Sequence, residues 1–201
     1  LSFMMPTFLV ITGFLVNIDK SVKDFLRYIW QIALPYTIFV VGYAALSLYL
    51  PVRDGIKVFD IATISDILLV KSIGPYWFLH VIVCGVIYYV TFHILPKINI
   101  TAKYSLFASV LIAVSLWTPF LNIKMAAYYF IGVGIRLYVG DFSRIYKKSF
   151  WPIIPFGLLI TQTAFHDWGT ISTLICVLSF LCFSSFFFSF LRGRAEAIVA
   201  Y

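Results

Sequence analysis

Arg136 is the residue in this chain whose position most needs a chemical reason. It sits in an otherwise uncharged run, four residues before Gly140. A guanidinium grips phosphate or carboxylate in a bidentate fork, so one reading is an anion contact, such as a phosphate-bearing cofactor. The other is snorkelling, with the cationic head reaching a membrane surface along its own stem. His80, in Trp77-Phe78-Leu79-His80, can relay protons or hydrogen-bond a neighbouring helix. His93 lies 13 residues further along, about 20 Å of helical rise, so the two imidazoles cannot share a site. His166 and Asp167 are adjacent, and adjacent side chains diverge; they read as a turn before Trp168-Gly169.

Other chemistries lack their residues. The chain has no phosphate-cradling Gly-rich loop with Lys, no Gly-x-Ser-x-Gly elbow and no His-Glu-x-x-His. Cys84, Cys176 and Cys182 show no metal spacing and read as small apolar side chains. No metal is expected. Asn99-Ile100-Thr101 reads as an accidental sequon.

The elements that must position these residues follow from hydropathy. Only 11% of residues are charged, 62% are hydrophobic, and mean hydropathy is +0.99. Residues 28–50, 72–96, 104–123, 149–166 and 168–191 contain no Asp, Glu, Lys or Arg. A bilayer core takes roughly 20 apolar residues as helix, and backbone groups in lipid must be satisfied within the segment. The expectation is an all-α, polytopic transmembrane bundle forming a single domain over 1–201. Its seven spans lie near 2–18, 28–50, 74–95, 104–118, 125–140, 149–166 and 170–191.

The net charge of +7 is then explained by loops and not by a nucleic-acid partner. Lys20, Lys23, Arg27, Lys97, Lys103, Arg144, Lys147, Lys148, Arg192 and Arg194 fall on one set of alternate connections. Arg53, Lys57, Lys71 and Lys124 fall on the other. Cytoplasmic loops collect Lys and Arg, so the N-terminus is expected outside and the C-terminus in the cytoplasm of a cell inner (plasma) membrane. The chain begins at Leu1 and has no basic n-region, so a further helix is expected upstream.

Smaller features refine this outline. The link 19–27 is polar, Tyr28 and Trp30 suit an interface, and Pro35 should kink the second span. Within 51–73, Ile56, Phe59, Ile64, Ile67 and Leu68 recur at helical spacing, which predicts an amphipathic helix lying on the membrane or dipping into it. Pro75 suits a helix start. The phenylalanines Phe180 to Phe190 should face lipid, since tight helix seams prefer small residues.

Several segments resemble the acyltransferase family 3 integral membrane proteins. Met5-Pro6-Thr7-Phe8-Leu9-Val10-Ile11-Thr12-Gly13-Phe14-Leu15 is similar to the second helix of that family. Phe25-Leu26-Arg27 with Leu34-Pro35-Tyr36 resembles its basic stretch leading into a Pro-Tyr helix. Pro75-Tyr76-Trp77-Phe78-Leu79 resembles its Trp-Phe-Leu motif, and Tyr129-Phe130-Ile131-Gly132 a later Phe-x-x-Gly segment. The match of Phe190-Leu191-Arg192-Gly193-Arg194 to a late helix is poor, Thr12 replaces a usual Ser, and Trp30 and Gln31 stand where further basic residues are common.

The resemblance implies transfer of an acetyl or succinyl group from acyl-CoA, the donor substrate, to a hydroxyl of a cell-surface glycan or its lipid-linked precursor. The flavour is that of bacterial polysaccharide O-acyltransferases. It implies a general-base His in a helix upstream of residue 1, leaving His80 as the weak candidate within this chain. It makes Arg27 and Arg136 contacts to the CoA phosphates or thioester region, and Trp77 and His80 part of the path for the acyl group or acceptor. The rival readings are a glycan-intermediate transporter or flippase, and an inactive membrane remnant or structural subunit. Transporters often carry repeats, and none is evident.

Overall fold

The computed structural model describes residues 4–50, 56, 58–70, 77–94, 97–140, 151–161 and 171–199. Every regular element among them is a helix: α1 Met4–Leu15, α2 Val22–Ser47, α3 Ile61–Leu69, α4 Trp77–Ile94, α5 Ile100–Trp117, α6 Ile123–Tyr138, α7 Ile153–Ile160 and α8 Ile171–Val199. Seven follow the expected spans in order, and α3 falls in the segment expected to be amphipathic. Two helices, α2 and α5, are long and apolar enough to cross a membrane. The expected Pro75 helix start and the His166-Asp167 turn lie outside the described residues.

Helix ends differ from the hydropathy boundaries for local reasons. α2 begins at Val22, not near 28, because Ser21 caps it. The Ser21 hydroxyl accepts the Asp24 N–H at 3.2 Å and donates to the Asp24 carboxylate at 2.6 Å. That is a hydroxyl N-cap in a charged segment, where hydropathy sees only membrane entry. At the other extreme α8 continues past Leu191 through Arg192-Gly193-Arg194. Arg192, Arg194, Ala195, Glu196 and Ala197 are good helix formers and carry the helix beyond the apolar run, across Gly193, a poor one. α6 stops where Gly140 takes φ 75° and its N–H returns to the Ile135 carbonyl, a conformation open to glycine.

The chain divides into two compact units, Val16–Ala126 and Leu1–Leu15 with Ala127–Tyr201. In the first, α2 packs on α3 and α4, and α4 on α5. Phe25 of α2 stacks on Tyr89 near the end of α4 (centroids 3.9 Å, planes 10° apart). Phe78 and Leu79 at the start of α4 pack beside Tyr36, Val40 and Ala44 of α2. The two helices therefore run antiparallel. α5 reverses again: Lys103 donates to the Phe92 carbonyl at 3.3 Å, and Phe107 packs on Tyr88 with centroids 5.4 Å apart. The start of α2, the end of α4 and the start of α5 thus share one end of this unit. Lys20, Lys23, Arg27, His93, Lys97 and Lys103 gather there, while Lys124 lies at the other end.

α3 is docked on protein through one face. Ile67 is buried in the cluster of Tyr36, Val40 and Ala44, with Ile56 and Leu68 beside it. The Tyr36 hydroxyl donates to the Leu68 carbonyl at 2.7 Å. Ile56 N–H donates to the Ser47 hydroxyl at 3.0 Å. Phe59, expected on the same face, is exposed, because it precedes the helix and does not follow its period.

In the second unit α8 packs on α7 and α1. Phe180 meets Phe156 of α7 (5.7 Å), while Phe187 and Phe190 stay exposed. The phenylalanines therefore divide between protein and outward faces. They do not all face away, because α7 offers its own aromatic side chain.

Tyr36→Phe removes the bond to Leu68 and should lower stability by about 0.5–1.5 kcal/mol, read as thermal unfolding of the full chain in detergent. Asp60 caps α3 by accepting the Thr63 N–H at 2.9 Å. The Thr63 hydroxyl, then its backbone N–H, hold the Asp60 carboxyl below its usual range. The cap is therefore present above the ordinary carboxylate pKa and is lost as pH falls through the lowered native value. Amide exchange at the start of α3 should stay slow through mildly acidic pH and quicken only below that value.

Candidate functional site

Arg136 is placed by a backbone seam. Gly13 of α1 and Gly132 of α6 face each other across the two helices. A Cβ on Gly13 would run into the Tyr129 carbonyl oxygen and stand 3.2 Å from the Tyr129 carbonyl carbon and 3.3 Å from the Val133 nitrogen. One on Gly132 would run into the Val10 carbonyl oxygen and stand 2.9 Å from the Val10 carbonyl carbon and 3.0 Å from the Phe14 nitrogen. Close backbone approach of this kind is what small residues permit between membrane helices. One turn beyond Gly132, the half-buried Arg136 holds its guanidinium over the Phe14 ring, 5.8 Å from the centroid. The ring face attracts the cation and leaves its planar N–H fork available to an anion.

Phe14 did not stand out as a partner in the sequence. Its signal was its place beside Gly13, within the motif that carries the resemblance.

His80 is 4% exposed. Its Nε2 accepts the backbone N–H of Asn122 at 3.1 Å. An accepting nitrogen carries no proton, so the neutral ring holds its proton on Nδ1. Asn122 stands just before α6: its carbonyl accepts the Ala126 N–H at 2.9 Å and its side-chain oxygen the Lys124 N–H at 2.9 Å. His80 therefore ties the first turn of α4 to the entry of α6. To act as a general base at Nε2 it would first have to release Asn122.

Trp77 opens α4, and its side chain lies outside the described residues. His93 stacks on Tyr89 (4.9 Å, 13°), and Tyr89 donates to the Lys20 carbonyl at 3.0 Å. Arg27 is exposed near the start of α2, at the end of its unit away from His80. Nine residues, or about 13 Å of rise, separate His80 from the Tyr89 level. Trp77 and His80 thus share the first turn of α4, Arg27 stands apart from them, and Arg136 belongs to the other unit. Among the described residues no three His, Cys, Asp or Glu side chains gather to hold a metal ion.

No protein-family model, curated protein or solved structure matches the chain.

The seam gives a sign test. Alanine ordinarily stabilises a helix over glycine by about 0.5–1 kcal/mol. Gly42→Ala and Gly157→Ala, with nothing within 4 Å of the added carbon, should show that gain. Gly13→Ala and Gly132→Ala should instead lower stability by about 1–3 kcal/mol or more through overpacking. Thermal unfolding of all four variants in one detergent reads the difference.

Proposed function

We propose that this chain is a multi-pass plasma-membrane protein whose basic end faces the cytoplasm and whose activity is acyl transfer from acyl-CoA to a glycan hydroxyl. The membrane reading is supported by how little of its apolar surface is enclosed. Only 17% of the most apolar stretch of α2, and 11% of that of α5, is buried. The core helix of a water-soluble protein would be mostly covered. Here Trp30, Leu34, Ile38, Phe39, Leu116 and Trp117 lie exposed, as lipid-facing side chains should. Lys20, Lys23, Arg27, Lys97 and Lys103 share one end of their unit, as the positive-inside rule requires of a cytoplasmic face.

The observation that carries the catalytic reading is the meeting of two separate motifs. Gly13 belongs to the stretch resembling the family's second helix, and Gly132 to its Phe-x-x-Gly segment. They are each other's neighbours in space. Of the two arginines that the resemblance assigns to the donor, Arg136 is the one the fold holds in place. In the reaction, the acceptor oxygen bonds to the thioester carbonyl carbon, the C–S bond breaks, and CoA leaves as the thiol with the acceptor's proton. Arg136 would hold a donor phosphate or the thioester region. No residue of this chain is assigned as the general base, since His80 is engaged with Asn122.

Arg136→Ala in the full chain, reconstituted in membranes, should weaken acetyl-CoA or succinyl-CoA binding by about 10-fold or more, the loss of one charge-assisted contact. Arg136→Lys should recover part of it. Unchanged donor affinity would remove Arg136 from the site. Movement of a glycan intermediate across the membrane with no acyl incorporation would replace this reading with transport.

A further inference from the structure

One face of α2 changes chemistry with height in the order of a phospholipid monolayer. Lys23, Arg27, Trp30, Leu34 and Ile38 are spaced by three and four residues, which at 3.6 residues per turn confines them to about 80° of arc. All are exposed, Trp30 at 65% and Ile38 at 60%. The buried residues of α2, Phe25, Tyr36, Val40 and Ala44, lie on a separate arc, about 80–180° round from the stripe's centre. The stripe therefore points away from α3 and α4. Along it come two cations in the first two turns, then an indole, then two aliphatic side chains. Trp30 to Ile38 is about 12 Å of rise, within the reach of an acyl chain.

Among the described residues neither Lys23 nor Arg27 has an ion-pair or ring partner. The Lys20 ammonium sits over the Tyr28 ring (5.1 Å), and that of Lys103 is bonded to the Phe92 carbonyl. The Asp24 carboxylate is held by the Ser21 hydroxyl. We infer that this stripe seats an anionic phospholipid of the cytoplasmic leaflet. Lys23 and Arg27 hold its phosphate, Trp30 lies at its glycerol level, and Leu34 and Ile38 line its acyl chain. The inference rests on the membrane reading and not on acyl transfer. It gives Arg27 a lipid phosphate where the resemblance gives it a CoA phosphate.

The test is native mass spectrometry of the full chain released from bilayers of equal phosphatidylglycerol and phosphatidylcholine. The wild type should retain phosphatidylglycerol in preference. The double variant Lys23→Ala/Arg27→Ala should lower that retention about 30-fold, Lys23→Arg/Arg27→Lys should keep it, and Lys124→Ala at the other end should leave it unchanged. Equal retention of both lipids, or an unaffected double variant, would overturn the site. So would displacement of the bound lipid by CoA, which would return Arg27 to the donor. Extraction of the wild-type chain from membranes by alkaline carbonate would instead overturn the membrane reading itself.

Discussion

A helix satisfies its interior peptide groups but leaves carbonyls at one end and N–H groups at the other without partners. In apolar surroundings each orphan is expensive. The unit spanning 16–126 closes two of them with side chains from another helix and anchors a third carbonyl just ahead of a helix. Tyr36 donates to the Leu68 carbonyl in the last turn of α3. Tyr89 donates to the Lys20 carbonyl just before α2. His80 accepts the Asn122 N–H at the entry of α6. The same three bonds fix which level of one helix faces which level of the next. Aromatic stacking of Phe25, Tyr89 and His93 then fills the space around one of these ties.

The other unit uses a different device. Where Gly13 and Gly132 meet there is no side chain to interlock, and the contact is backbone on backbone. Dispersion and weak polar contacts at such short range hold helices together without side-chain interlocking. The arrangement is intolerant of even one added methyl group, and it sets the height of everything that follows on α6. Arg136 reaches Phe14 because the seam puts it one turn away. The seam's geometry and the arginine's placement are a single structural fact.

Exposed and enclosed apolar surface carry opposite meanings here. Tyr36, Val40 and Ala44 are buried because α3 and α4 cover them; Leu34 and Ile38, on the same helix, are equally apolar and uncovered. In water the second set would be a liability. In lipid such surface would be the ordinary outer face of a helix.

The residues alone determined that this chain is helical throughout its described elements, roughly where each helix lies, and which connections are basic. Long uncharged runs admit few other solutions, but the cap of α2 at Ser21 was not read from them, because it lies in a polar, charged stretch that hydropathy passes over. Tertiary structure decided what sequence spacing cannot encode. His80 and Asn122 are 42 residues apart, and no periodicity links them; only the turn from α5 into α6 brings the N–H to the imidazole. Gly13 and Gly132 each looked like an ordinary membrane-helix glycine until the two backbones met. Arg136 was legible as a costly charge, but its partner was not, because a cation–ring contact depends on which helix lies alongside.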